Sequence, residues 1–174
     1  MRGLWLILIA ALASAQARGG KESMALAWAT TQYPLLFPIA AEDYETLTSP
    51  FGLRVSPLLR VLAHHDGIDV EAVPKAQVVS AADGWIAELW PPPDGYYRGH
   101  RTYGGMVVID HGNGFVTLYA HLSAVFVAGW QRVKRGQVIG RVGSTGKSTG
   151  EHLHFEVRIR GTLANPLLYM AMPK

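Results

Sequence analysis

Met106-Val107-Val108-Ile109-Asp110-His111-Gly112-Asn113-Gly114-Phe115-Val116-Thr117-Leu118-Tyr119-Ala120 sets two apolar, β-rich runs on either side of a four-residue break. The Asn113-Gly114 step supplies the positive φ angles that a tight hairpin needs, so 106–110 and 115–120 are predicted as paired antiparallel strands. Side chains alternate along a strand, which places Phe115, Thr117, Tyr119 and His121 on one face. A second alternating stretch begins at His152. His152, His154, Glu156, Arg158 and Arg160 alternate with Leu153, Phe155, Val157 and Ile159, giving one apolar face and one that carries both histidines. From Leu36 onward brief apolar runs are punctuated by Gly, Pro and Asp, the rhythm of an all-β, antiparallel domain with little helix.

The 174 residues contain no cysteine and are 49% hydrophobic and 17% charged, a composition that excludes disorder, collagen and a disulfide scaffold. Absence of cysteine also excludes thiol catalysis and thiolate zinc clusters. Sixteen Lys and Arg against thirteen Asp and Glu give +3, suited to an anionic polymer, with no basic run of the kind that nucleic-acid binding uses.

Residues 1–17 read as a secretory signal: one charge at Arg2, an apolar stretch from Leu4 to Ala13, then small residues with cleavage after Ala15 or Ala17. Ten apolar residues rise about 15 Å as a helix against a hydrocarbon core of about 30 Å, so a membrane anchor is not expected after cleavage. Residues 18–35 read as a linker with one helical turn at 24–29, residues 36–170 as the functional domain, and 171–174 as a tail. No heptad or long apolar helix points to an oligomer, which leaves a monomer as the default and not an inference.

In His64-His65-Asp66-Gly67-Ile68-Asp69-Val70 a histidine and a carboxylate lie four apart across a glycine. On a straight strand four steps span about 13 Å, too far for two ligands each about 2 Å from one metal. A kink or bulge at Gly67 must bring them together if they share an ion. His152-Leu153-His154 adds two histidines projecting the same way from a strand, and His121 a further one at a strand end. His65, Asp69 and one of His152 or His154 then offer three nitrogen and oxygen ligands, the number that leaves room for water in a catalytic zinc site. The two-histidine, one-carboxylate triad of non-haem iron oxygenases uses the same residue types, but nothing here looks like a cosubstrate pocket.

These residues and their surroundings resemble the lysostaphin/LytM-type zinc endopeptidases that cut peptidoglycan peptides. The resemblance runs from about Phe37 to Pro166. Besides the histidine and aspartate motifs it includes Ser49-Pro50-Phe51-Gly52-Leu53-Arg54, Ala81-Ala82-Asp83-Gly84, Tyr119-Ala120-His121-Leu122, Gly136-Gln137-Val138-Ile139-Gly140, Gly143-Ser144-Thr145-Gly146 and Ser148-Thr149-Gly150-Glu151-His152-Leu153-His154-Phe155-Glu156. It implies one zinc ion held by His65, Asp69 and His154, with catalytic roles for His121 and His152. The fold it implies is the β-rich LytM, or duplicated hybrid motif, domain, with its metal in a groove walled by loops. Peptidoglycan peptides would be the substrate and the periplasm or cell wall the location. Some similar exported proteins lack zinc ligands and act by activating amidases; here all five positions are filled, which favours an enzyme.

The segment between Leu89 and Met106 is longer than a tight connection requires, and its aromatics and arginines suit either a groove wall or a tolerated surface insertion. His100 and His111, beside turn glycines and without a paired carboxylate, read as structural. The loop 143–150 lacks the Gly-Lys-Ser/Thr ending of a phosphate cradle and leads into a strand, so it is expected to position His152 and border the groove. Two other classes compete with an enzyme. One is a non-catalytic wall-binding or amidase-activating module, which the filled ligand positions oppose. The other is a biotinyl- or lipoyl-type carrier suggested by 136–143, which the absence of a lysine at an exposed hairpin tip opposes.

Overall fold

The computed structural model describes residues 35–55, 60–93 and 99–173. These carry strands β1 (Tyr44–Ser49), β2 (Gly52–Val55), β3 (Leu62–His65), β4 (Ile68–Ala72), β5 (Gln77–Val79), β6 (Gly84–Trp90) and β7 (Gly105–Asp110). They continue with β8 (Phe115–Leu122), β9 (Ala124–Val125), β10 (Arg132–Val133), β11 (Val138–Arg141), β12 (Leu153–Ile159) and β13 (Thr162–Ala164), and end in a 3-10 turn at Pro166–Leu168. The expected hairpin is β7–β8. Gly112, Asn113 and Gly114 all take positive φ, and the Phe115 N–H closes the turn on the Gly112 carbonyl.

One antiparallel sheet organises the chain, in the order β1-β4-β12-β8-β7-β6-β10, with β13 paired to β12. Smaller sheets β5-β11-β9 and β2-β3 flank it. Its core face buries Ile68 and Val70, Leu153, Phe155 and Val157, Phe115 and Tyr119, Val107 and Ile109, and Ile86, all within 1% of full burial. A polar thread crosses this core without an orphaned group. The His111 ring N–H at Nδ1 donates to the Asp83 carbonyl, Nε2 lies 2.7 Å from Thr117 Oγ1, and Tyr119 Oη accepts from the Ala81 N–H. His111 is thus structural, as its neighbours in sequence suggested, and it is buried.

The opposite face carries His154, Glu156 and Arg158 of β12. It is less polar than alternation alone indicated: Glu156 is fully buried, and Met106, Leu118 and Ala120 form a small apolar cluster beside it, covered by Tyr103 and Val108. A second departure concerns His121, expected on the face of Phe115, Thr117 and Tyr119. The β7–β8 register slips between Gly105↔Leu122 and Val107↔Tyr119, and His121 takes φ 61°. A bulge of this kind re-aims one side chain, and the His121 ring turns to lie 4.7 Å from that of His152.

Gly67 sits where the chain leaves the two-stranded sheet at β3 and enters the large sheet at β4. A Cβ there would stand 2.2 Å from the Phe155 carbonyl oxygen, so only glycine lets this corner press against β12. The kink required by the His65 and Asp69 spacing is therefore a passage between two sheets. The expected signal segment and helical turn lie outside the described residues. Among the described residues no helix is long and apolar enough to cross a membrane.

Candidate metal centre

The corner at Gly67 brings His65, at the end of β3, against Asp69 of β4, and the β4–β12 pairing sets Asp69 directly opposite His154. His65 Nε2, Asp69 Oδ1 and His154 Nδ1 form a triangle with edges of 3.1, 3.2 and 2.8 Å. Ligands about 2.05 Å from a tetrahedral zinc lie about 3.3 Å apart, so the three atoms have the spacing of one face of such a site. His65 and His154 are buried, and Asp69 is nearly so. Of the pair that spacing left open, it is His154 whose ring joins this triangle, while His152 Nε2 stands 3.8 Å from Asp69 Oδ1.

The second nitrogen of each ring decides what the first can do. His65 Nδ1–H donates to the Pro50 carbonyl at 2.9 Å, and His154 Nε2–H donates to Glu156 Oε1 at 3.2 Å. In their neutral forms both rings then turn a bare lone pair toward Asp69, and two lone pairs 3.2 Å apart repel unless a proton or cation lies between them. Without a cation, electrostatics assigns that place to a proton. Burial lowers the His154 pKa, but its bonds to Asp69 and Glu156 outweigh this and hold it at about 9. Burial raises that of Asp69, yet His154 and His65 keep it well below the usual carboxylate range. A donor set of two imidazoles and a carboxylate, charge-deficient without a cation, fits zinc in both spacing and chemistry.

His121 and His152 flank this triangle and are fixed in the same manner by one loop. His121 Nδ1–H donates to the Thr145 carbonyl at 2.7 Å and His152 Nδ1–H to the Gly150 carbonyl at 2.9 Å, leaving each Nε2 without a hydrogen. The loop 143–150 positions His152 as expected, through a bridge of Gly143 to His152, and orients His121 as well. Burial, aided by repulsion from His152, lowers the His121 pKa to about 4.

Sequence reasoning missed three residues of this environment. Glu156 accepts from His154, from the Tyr103 hydroxyl at 2.6 Å and from Arg158 at 2.7 Å. Burial alone would raise its pKa, and these donors lower it instead. Tyr103 also stacks on the His154 ring, with centroids 5.8 Å apart. It belongs to the long 90–105 segment, in which His100 accepts the Thr102 and Tyr103 N–H groups and packs against Trp90. His100 is thus structural, and that segment delivers a side chain to the site. Arg54 of β2 backs the second Asp69 oxygen at 3.5 Å. The alternation already placed Glu156 on the face of His154; Tyr103 stood only among the aromatics of a segment suited to a groove wall or a surface insertion, with nothing local to single it out.

Fold and cluster together define an antiparallel β protein with a His–Asp–His site able to hold a metal ion, served by two oriented histidines. Residues 63–166 match the model of peptidase family M23, and the chain belongs to that family. It is similar to the DD-carboxypeptidase/endopeptidase Mpg of Neisseria meningitidis serogroup B, 46% identical over 132 residues, covering 75% of this chain and 28% of that protein. It is similar also to the peptidoglycan DD-endopeptidase ShyA of Vibrio cholerae, 38% identical over 114 residues, covering 66% and 25%. Among solved structures, a zinc-containing peptidase from Vibrio cholerae superposes with a TM-score of 0.62 at 31% identity, covering 79% of this chain and 41% of that one. The chain spans about a quarter of the length of these two curated relatives.

Proposed function

We propose that this chain is an exported zinc endopeptidase that hydrolyses peptide bonds of peptidoglycan, cross-links or stem peptides. The observation that carries the reading is the arrangement of the donors: His65 Nε2, Asp69 Oδ1 and His154 Nδ1 lie within 3.2 Å of one another, while His121 and His152 beside them are each anchored through Nδ1 to a backbone carbonyl. His65, Asp69 and His154 would hold the zinc. When bound, zinc lowers the pKa of a water to about 7 and polarises a carbonyl oxygen, as amide hydrolysis needs. His121 and His152 then serve as the pair that takes the proton of the attacking water, returns one to the leaving amine and stabilises the developing oxyanion. Their carbonyl anchors at Thr145 and Gly150 hold both rings in the accepting tautomer, so no reorientation precedes proton transfer. The relative named a peptidoglycan DD-endopeptidase supports the substrate class, and the +3 balance suits an anionic wall. In this reading residues 1–17 are removed on export and 36–170 form the working domain.

The test is digestion of purified cross-linked peptidoglycan by the zinc-loaded protein beside His154→Ala, with products identified by mass spectrometry. New products from the wild type alone, with zinc lost from the variant, are expected and would name the bond. Full activity in the variant would sink the assignment. A wild type that holds stoichiometric zinc and releases nothing would turn the reading to a binding or amidase-activating module.

A further inference from the structure

The free edge of the large sheet carries exposed aromatics that neither the core nor the metal centre uses. Trp85 of β6 is 48% exposed and Trp130, in the turn before β10, is 80% exposed. Trp130 is costly where it stands. The Ala128 carbonyl accepts the Gln131 N–H across the turn, and Trp130 fills its third position with φ 65°, a left-handed slot where glycine is the default. A bulky residue in that region is an outlier, and such outliers gather at functional positions.

Its surroundings are cationic and ordered. Arg132 pairs with Trp85 across the β6–β10 ladder and lays its guanidinium 4.7 Å over the indole. Lys134 and Arg135 follow, both held at Asp83, whose carboxylate accepts from Lys134 Nζ and the Arg135 N–H. Lys134 is thus paired with Asp83, while the Asp110 carboxylate, across the ladder from Trp85, accepts from the Gly112 N–H. Charged residues on an edge strand guard against unwanted strand pairing, which accounts for Arg132 and Lys134. It does not account for two tryptophans in solvent.

The register says where this patch lies. Arg132, Trp85, Asp110, Val116 and Arg158 are successive partners across five strands, and Arg158 shares its side of β12 with His154. Trp85 and Arg132 are thus on the metal-site face, and Trp130 joins the same edge through its N–H to the Ile86 carbonyl. Four residues along β12 and three strand spacings across the sheet separate Trp85 from His154, about 20 Å. From this we infer that Trp85, Trp130 and Arg132 form an outlying subsite for a carboxylate-bearing glycan strand, which they hold while its attached peptide reaches the metal centre. The choice of polymer rests on the peptidoglycan reading above. Indole faces stack on the C–H face of a pyranose ring, and the guanidinium pairs with the carboxylates of those sugars along the strand that carry no peptide. The exposed large aliphatics among the described residues, which would deepen insertion into a lipid surface, are Leu53, Val55, Val61, Leu62 and Leu168, and none belongs to this edge.

Trp130→Gly and Trp85→Ala test this by retention of the full chain on peptide-free peptidoglycan glycan strands, with anionic phosphatidylglycerol vesicles in parallel. The expected result is retention about tenfold weaker on glycan for each variant, with unchanged zinc content and unchanged cleavage of a short soluble peptide. Because glycine suits the positive φ, Trp130→Gly should melt no lower than wild type, which separates lost binding from lost fold. Variants retained as well as wild type would overturn the inference, as would a loss confined to vesicles. Glycan retention by a wild type that cleaves no peptide would support this subsite while overturning the hydrolase reading, so the two failures are distinct.

Discussion

Glu156 lies at full burial between an imidazole, a phenol and a guanidinium, and its carboxylate is what commits the His154 proton to Nε2. Burying a carboxylate is expensive unless several donors compensate it, and here three do. Partners of a metal-binding histidine typically change metal affinity 10- to 100-fold when removed. Tyr103→Phe keeps the ring that stacks on His154 and deletes only the hydroxyl. It is expected to weaken zinc binding about tenfold, measured by competition with a chromogenic chelator, while the metal-free melting temperature changes little. Equal affinity in the variant would reduce Tyr103 to a space-filling role.

At the scale of elements, the β7–β8 hairpin carries a pH dependence of its own. Burial lowers the His111 pKa below its ordinary 6.5, although the Asp83 carbonyl partly offsets this. The unfolded chain therefore binds a proton near pH 6.5 that the folded chain refuses, so His111 makes stability fall as pH drops below about 6.5 and contributes no slope above it. His121 titrates in the same sense, so the His111 share must be taken as a difference. Denaturant unfolding of wild type and His111→Gln between pH 5 and 7.5 should show a shallower loss on acidification in the variant. Parallel curves would mean that His111 titrates alike in the folded and unfolded chains and contributes nothing to the acid sensitivity. The same hairpin shows why a bulge matters: without the slip at His121 the ring would point into the core beside Tyr119, away from His152.

The whole molecule separates stability from chemistry by the two faces of one sheet. The core face is apolar apart from the His111, Thr117 and Tyr119 thread, and the residues of the candidate site lie on the other side. Zinc should therefore add stability without being required for folding. Binding to the native state alone contributes about 2.7 kcal/mol at a hundredfold excess over Kd. A chelator is accordingly expected to lower the melting temperature by about 10 °C while the β-rich circular dichroism spectrum below it persists. Loss of cooperative unfolding on chelation would make the metal a structural one.

Local chemistry was legible without a structure. Asn113-Gly114 determined a turn because few steps accept consecutive positive φ angles, and alternation from His152 determined which residues share a side of β12. The His65 and Asp69 spacing required a departure at Gly67, and the ordered motifs identified the family. Tertiary structure alone decided what depends on which strands become neighbours. The order β4-β12-β8 sets Asp69 opposite His154 and makes Glu156 an interior residue. The long 90–105 segment brings Tyr103 to Glu156 across 53 positions, and one loop reaches both His121 and His152. A single sequence encodes φ preference and alternation within a few residues of each other. The partners of a buried charge are set by contacts between distant segments, which only the packed sheet brings into range.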